Sequence, residues 1–460
     1  MPVKRKRIRQ VVFKREDVDS TAETLAQGDV NAIAIFEPAV AYDNPGFERA
    51  PAQATLSKLE TISGAKLATL SFGTDLKGGG ALNTEPGVGK LFEACGFLKL
   101  VRTLITVDTL AGGPFKLGEI INGGTSNAIG IVLRDLSANG TMEIFVRTGT
   151  FASGEVITGA TSGATANSTS TEANAGFAYM PHSRNSKTVT IGAVTGGPFA
   201  SGEEIVGGTS SAKGYVIHDT ETGRTQLYYI PSTTTNFASG ETITGSRSGA
   251  TATTSSVASC ANPTSSYTFE SREDGIIKKI KGARGKFTLT IGRVGEPGRV
   301  NFEFQGSPID PIDGNLFNDT NDGLLPPKLL SAVFLIGAFT PKINSFEIQV
   351  ENTLSPRTDV TDASGYLGVL ISDRAISGSC DPEMTEVASK DWFGEWFGDT
   401  KNSFRTTIGS TPGNIIDIHS NNIKFNSVGD DDRDGVAVAG LEFMFIKDQF
   451  GDDEVVFMFY

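Results

Sequence analysis

The sequence predicts a mainly β protein: an antiparallel β-sandwich or barrel with one packed helix, interrupted by two small inserted all-β domains. Three observations lead there. Composition is the first: of 460 residues, 54 are Gly and 20% are charged, Ser and Thr are plentiful, and His, Cys, Met and Trp are few. That is the profile of a turn-rich β protein. The second is strict apolar/polar alternation in several segments, the period of a strand with one covered face. The third is a short pattern written four times: FKLGEIINGGTSNA from Phe115, FASGEVITGATSGA from Phe151, FASGEEIVGGTSSA from Phe199 and FASGETITGSRSGA from Phe237. The copies form two pairs, and the chain around the pairs does not repeat, so each pair reads as a duplicated β unit set into a loop of a larger host.

Residues 1–110 form the first part of the host. They open with a basic arm, Lys4, Arg5, Lys6, Arg7 and Arg9, followed by Val11, Val12 and Phe13, which give the arm something to bury if it docks. At 64–78, Ala68, Leu70, Phe72, Thr74 and Leu76 alternate with Thr69, Ser71, Gly73 and Asp75, which predicts a long strand. PGVGKLFEACGF at 86–97 starts on a proline and carries Leu91, Phe92, Ala94 and Cys95 as an apolar patch, which predicts the helix. The first insert spans 111–172. One repeat is too small to bury a good core, but two stacked repeats make a mini-barrel or sandwich of about 60 residues. Residues 173–194 return to the host. The second insert spans 195–262 and contains an alternating hairpin at 215–230. The host resumes at 263–460. There Phe287, Leu289 and Ile291 and then Val300, Phe302 and Phe304 alternate on either side of a GEPG reversal, an antiparallel hairpin. Further strands are expected at 344–351 and 367–372, and a final hairpin is expected between 436–446 and the closing VVFMFY.

Charge and chemistry narrow the function. With 53 acidic and 40 basic residues the formal charge is −13, which argues against tight wrapping around nucleic acid but allows a smooth acidic channel. Cys95, Cys260 and Cys380 are far apart and odd in number, so single thiols made in a reducing compartment are expected. There is no run of 18 apolar residues, and the basic amino terminus lacks the apolar segment of a secretory signal, so a cytoplasmic product with no membrane span is expected. His182, His218 and His419 show no zinc spacing and read as surface or satisfied histidines. There is no G-x-S-x-G elbow. GVGK at 87–90 fails as a phosphate loop because Thr84 stands where a glycine is needed and Leu91 follows the lysine. Asp430, Asp432, Asp434 and Gly435 match the start of a calcium loop, but Leu441 stands where its bidentate Glu belongs, so a solvated hairpin tip is expected. Trp392, Phe393, Trp396 and Phe397 read as core or interface packing, and Glu395 has no partner carboxylate for glycoside hydrolysis. No catalytic, cofactor or metal residue is assigned.

Stripped of the inserts, the host resembles the major tail tube protein of tailed bacteriophages. The likeness rests on ordered stretches: residues 47–80, the PGVGKLFEACGF helix, YMPHS at 179–183, the hairpin at 274–306, FEIQVENTL at 346–354 and SDRAISGSCDPEM at 372–384. The two inserts depart from the family, though their repeats look like modules scattered through phage structural proteins. The resemblance implies a tail-tube fold and a non-enzymatic virion protein. It would assemble in the host cytoplasm into hexameric rings that stack into a tube for double-stranded DNA. Implied partners are further copies of the chain, the tape measure protein and genomic DNA in the lumen, and tail terminator and baseplate or tip proteins at the ends. The inserts are expected to point outward as autonomous modules. The basic arm reads as an inter-ring contact, a DNA-binding tail or a solvated tail. A capsid decoration or baseplate component is the alternative function, and a tail-associated glycan hydrolase is a remote one.

Overall fold

The computed structural model describes residues 8–30, 33–49, 52, 57–108, 110–136, 140–170, 174–184, 186–220, 223–259, 264–318, 323–330, 332–448 and 451–460. The fold is mainly β, with 52% strand and 4% helix and antiparallel pairing throughout.

The host is a sandwich. One layer runs Ile35–Asp43, Leu67–Asp75, Arg299–Asp313, Ile276–Ile291, Phe346–Thr358 and Tyr366–Cys380. The other runs Phe97–Thr106, Asn174–Pro181, Val456–Phe459, Ile416–Arg433 and Val436–Phe445, which returns to Tyr366–Cys380 and joins the layers. Alternation sets the register. Phe72, Phe302, Phe287, Val350 and Ile376 stand opposite one another across five adjacent strands, all buried. Such cross-strand apolar rows are the stabilising unit of a sheet, and a one-residue slip would turn every member to the other face.

The helix Gly89–Ala94 plugs the space between the layers. Phe92 is its centre: ring centroids lie 4.8 Å from Phe287, 5.4 Å from Phe457 and 5.6 Å from Tyr179, so one side chain ties both layers together. Gly89 is required for this approach, since a Cβ there would lie 1.9 Å from the Tyr179 hydroxyl. A second short helix, Trp392–Phe397, was not foreseen. Asp391 caps it by accepting from the Gly394 N–H at 2.7 Å, and Trp392 is buried while Phe397 is 75% exposed.

The expected final hairpin is corrected. Val456–Phe459 pairs with Ile416–Arg433 and Asn174–Pro181, and Val436–Phe445 pairs with the other half of Ile416–Arg433 and with Tyr366–Cys380. The physical reason lies in the closing residues themselves. Phe457 and Phe459 face the main core while Val456 and Met458 face a second cluster behind the sheet, so the strand is apolar on both sides and belongs in a sheet interior.

Each repeat pair forms a six-stranded barrel. The second closes through Lys187–Ile191, Gln226–Pro231, Lys213–Val216, Glu204–Gly207, Thr242–Gly245 and Thr251–Ser259, so its first strand comes from the 173–194 stretch that the sequence reading gave to the host. The first has the same order but borrows two host strands: Phe97–Thr106 pairs with Thr141–Thr148, and Asn174–Pro181 continues the line of Thr165–Asn167 beside it. The first insert is therefore continuous with the host sheet.

Candidate functional site

The four repeat-start residues, Phe115, Phe151, Phe199 and Phe237, are all at most 4% exposed and fill the two barrel cores. Each is followed by Gly-Glu-x-Ile-x-Gly, and the geometry explains that spacing. The isoleucines Ile121, Ile157, Ile205 and Ile243 are fully buried. The central strands pair about a local two-fold axis, Ile157 opposite Gly123 and Gly159 opposite Ile121, with the same exchange at Ile205–Gly245 and Gly207–Ile243.

The glutamates reach across that axis. Glu155 accepts from the N–H groups of Thr125 (3.1 Å) and Ser126 (2.9 Å), from both their hydroxyls, and from its own repeat at Ala152 N (2.6 Å). Glu119 returns the contact to Thr161 N (2.7 Å) and Ser162 N (2.5 Å). In the second barrel Glu241 holds Thr209 and Ser210, and Glu203 holds Arg247 and Ser248. A Cβ at Gly123, Gly159, Gly207 or Gly245 would strike these carboxylates at 2.7 Å, which fixes glycine there. Burial opposes ionisation of Glu155 and Glu241, but the serine N–H and hydroxyl donors outweigh it and hold both carboxyls down at about 2. One repeat cannot satisfy its own glutamate network, so the copies come in pairs.

Buried ion networks fasten the barrels to the host. Arg134 of the first barrel pairs with Asp417 of the host at 2.5 Å and shares Glu143 with Arg102 of the host strand, and Arg405 and Thr407 also donate to Asp417. On the second barrel, Asp219 takes the Lys99 ammonium at 2.5 Å, and Arg224 pairs with Glu23 at 3.2 Å. Behind Lys99, burial pushes Glu93 up to about 7. The inserts are thus locked to the host on polar as well as apolar faces.

Of the basic arm, Lys4, Arg5, Lys6 and Arg7 lie outside the described residues. Arg9 opens the strand Arg9–Arg15, stands opposite Glu273 and donates to the Pro38 carbonyl at 2.5 Å. Val11, Val12 and Phe13 are buried against the chain's own Tyr267–Glu273.

Asp430, Asp432 and Asp434 are exposed at a hairpin whose tip, Asp434-Gly435, has both φ values positive, the tight turn this dipeptide favours. Among the described residues no group of three or more His, Cys, Asp or Glu is arranged to hold a metal ion. His218 meets Ser265 Oγ at 2.6 Å, and His419 Nε2 donates to Asn421 Oδ1 at 3.1 Å. His182 is buried, and burial pushes its imidazole down to about 4. Cys95 and Cys380 are buried free thiols pushed up by burial, and Cys260 lies outside the described residues. Among the described residues no helix is long and apolar enough to cross a membrane.

What the fold leaves uncovered is apolar and peripheral. The two-residue strands Gly46–Phe47 and Ile62–Ser63 pair apart from the main sheet, with Phe47 63% and Ile62 54% exposed. Phe397 stacks on Trp396 at the surface, 5.1 Å between centroids, and Val360 at a hairpin tip is fully exposed. Ile35–Asp43 and Val333–Ile336 each pair on one side only among the described residues. Sequence reading singles out the aromatic run at 391–397; it places 47–80 in the family likeness but does not mark Phe47 or Ile62 as exposed. Compared with protein-family models and with curated proteins, the chain matches none.

Proposed function

We propose that this protein is a structural subunit that assembles with copies of itself, as hexameric rings stacked into the tail tube of a bacteriophage, a conduit for double-stranded DNA within the virion. The observation that carries this reading is the pairing of open sheet edges with distinct, uncovered apolar side chains at Phe47/Ile62 and at Phe397. An open edge invites another strand, and two unlike patches on one subunit suit a head-to-tail contact that closes into a ring. The order of host motifs supports the tube over other assemblies. The acidic balance of the chain suits a bore that leaves DNA mobile. Tape measure protein would share that bore, and terminator and baseplate or tip proteins would cap its ends.

Sedimentation velocity tests the reading. Wild-type protein is expected to sediment as hexamers and larger species, and the double variant Phe47→Ser/Ile62→Ser as folded monomer. Monomeric wild-type protein at high concentration would refute it. Arg9 is engaged within its own subunit, so the arm is tested by replacing Lys4, Arg5, Lys6 and Arg7 with Ser, which is expected to shift tubes toward single rings, most visibly at low salt, where such pairs are unscreened and repeat around a ring.

A further inference from the structure

The back of the host sheet and both barrels meet around a cavity of about 110 Å3. A single water needs only about 10–15 Å3, so there is room for a small molecule. One wall is apolar: Leu100 and Met180 from the host, Ile120 and Ile131 from the first barrel. The polar lining is Arg147, His182, Arg184, Asp452 and Asp453, of which Asp452 is taken up by Arg184 and Arg374. Arg147 closes the strand Thr141–Thr148, and its guanidinium carbon lies 4.1 Å from the centroid of the Tyr215 ring of the second barrel. Its Nε is buried without a hydrogen-bond partner, and so is Nε2 of His182, a residue only 5% exposed. The other arginines of this region are matched: Arg134 to Glu143 and Asp417, Arg102 to Glu143, and Arg184 to Asp452 at 3.6 Å. Arg147 forms no ion pair with any described carboxylate.

Arg147 is half-buried, and partly burying a guanidinium without an ion pair is costly. Its planar fork matches the two oxygens of a carboxylate, and the facing apolar wall matches a short hydrocarbon chain. Junctions between domains are also where small-molecule sites concentrate.

We propose that this three-way junction binds a small aliphatic monocarboxylate, its carboxylate set against Arg147 and His182 and its tail against Leu100, Ile120 and Met180. Such a ligand touches the host and the first barrel, and Ile230 of the second barrel lines the same cavity, so binding stabilises the packing at this junction. The proposal goes beyond assembly and does not depend on it.

The probe is sodium butyrate against equimolar sodium chloride, with the intact chain followed by thermal melting and by saturation-transfer NMR. Expected is a melting temperature that rises with butyrate concentration, and transfer to the butyrate methyl. Affinity should fall at least tenfold in Arg147→Met. Should that variant fail to fold, Ile120→Trp, at a position 37% exposed, fills the apolar end and is expected to abolish the response. No response in wild-type protein overturns the proposal. So does an equal response to n-butanol, which would mean apolar filling alone, or to inorganic phosphate, which would mean general anion screening.

Discussion

Replacing Glu155 with Ala removes the acceptor that one repeat lends to the other. Three backbone N–H groups, at Thr125, Ser126 and Ala152, and two hydroxyls lose their partner. At about 1 kcal/mol net per backbone hydrogen bond, and more where the acceptor is charged, the loss is about 3–5 kcal/mol. That is a large share of the stability of any small domain. The assay is urea denaturation combined with amide hydrogen exchange. Protection is expected to fall at 123–128, the loop Glu155 holds in the other repeat. It should persist at 161–164, the loop in its own repeat, which Glu119 holds. Ser126→Ala, which removes one hydroxyl, is expected to cost only about 1 kcal/mol. A loss below about 0.5 kcal/mol, the range of an ordinary surface substitution, would refute the reasoning. Faster exchange at 161–164 with 123–128 unchanged would refute it as well.

Phe92→Ala opens a cavity where both host layers meet the helix, and about 3–5 kcal/mol should be lost in chemical denaturation. Asp417→Ala leaves Glu143 as the carboxylate shared by Arg134 and Arg102 and removes the acceptor of Arg405 and Thr407, and about 3–5 kcal/mol should go with it, with barrel and host no longer unfolding together. The pH dependences have opposite signs. Glu155 and Glu241 sit at about 2 when folded, below the ordinary value of 4.5, so their contribution is present above 4.5 and is lost as pH falls toward 2. Burial raises Glu16 to about 7, so its contribution is full below 4.5 and is lost as pH rises through 7. Exchange of Arg9–Arg15 amides should therefore quicken, beyond the intrinsic rate, between pH 5 and pH 8, and Glu16→Gln should flatten that change.

Period-two segments were legible in the sequence because their faces differ: Ala68, Leu70, Phe72, Thr74 and Leu76 are buried, as the alternation demands. The GEPG hairpin and the alternation around it were legible for the same reason. The closing VVFMFY was misplaced because a strand apolar on both faces says that it is interior but not which neighbours it has. The repeats showed that units come in pairs, yet the cause, a carboxylate crossing a two-fold axis, needs coordinates. The continuity of the first barrel with the host was hidden because Phe97–Thr106 and Asn174–Pro181 carry no repeat signature. The Trp392–Phe397 helix is too short for its period to register. Phe47 and Ile62, part of the candidate assembly surface, are isolated apolar residues in a polar stretch and carry no period.

Negative-stain electron microscopy of the purified chain tests the central claim most directly. The account predicts rings of sixfold symmetry and hollow tubes built by stacking them, with the barrels as outward knobs. Uniform monomers at high concentration, or closed assemblies with no bore, would contradict it.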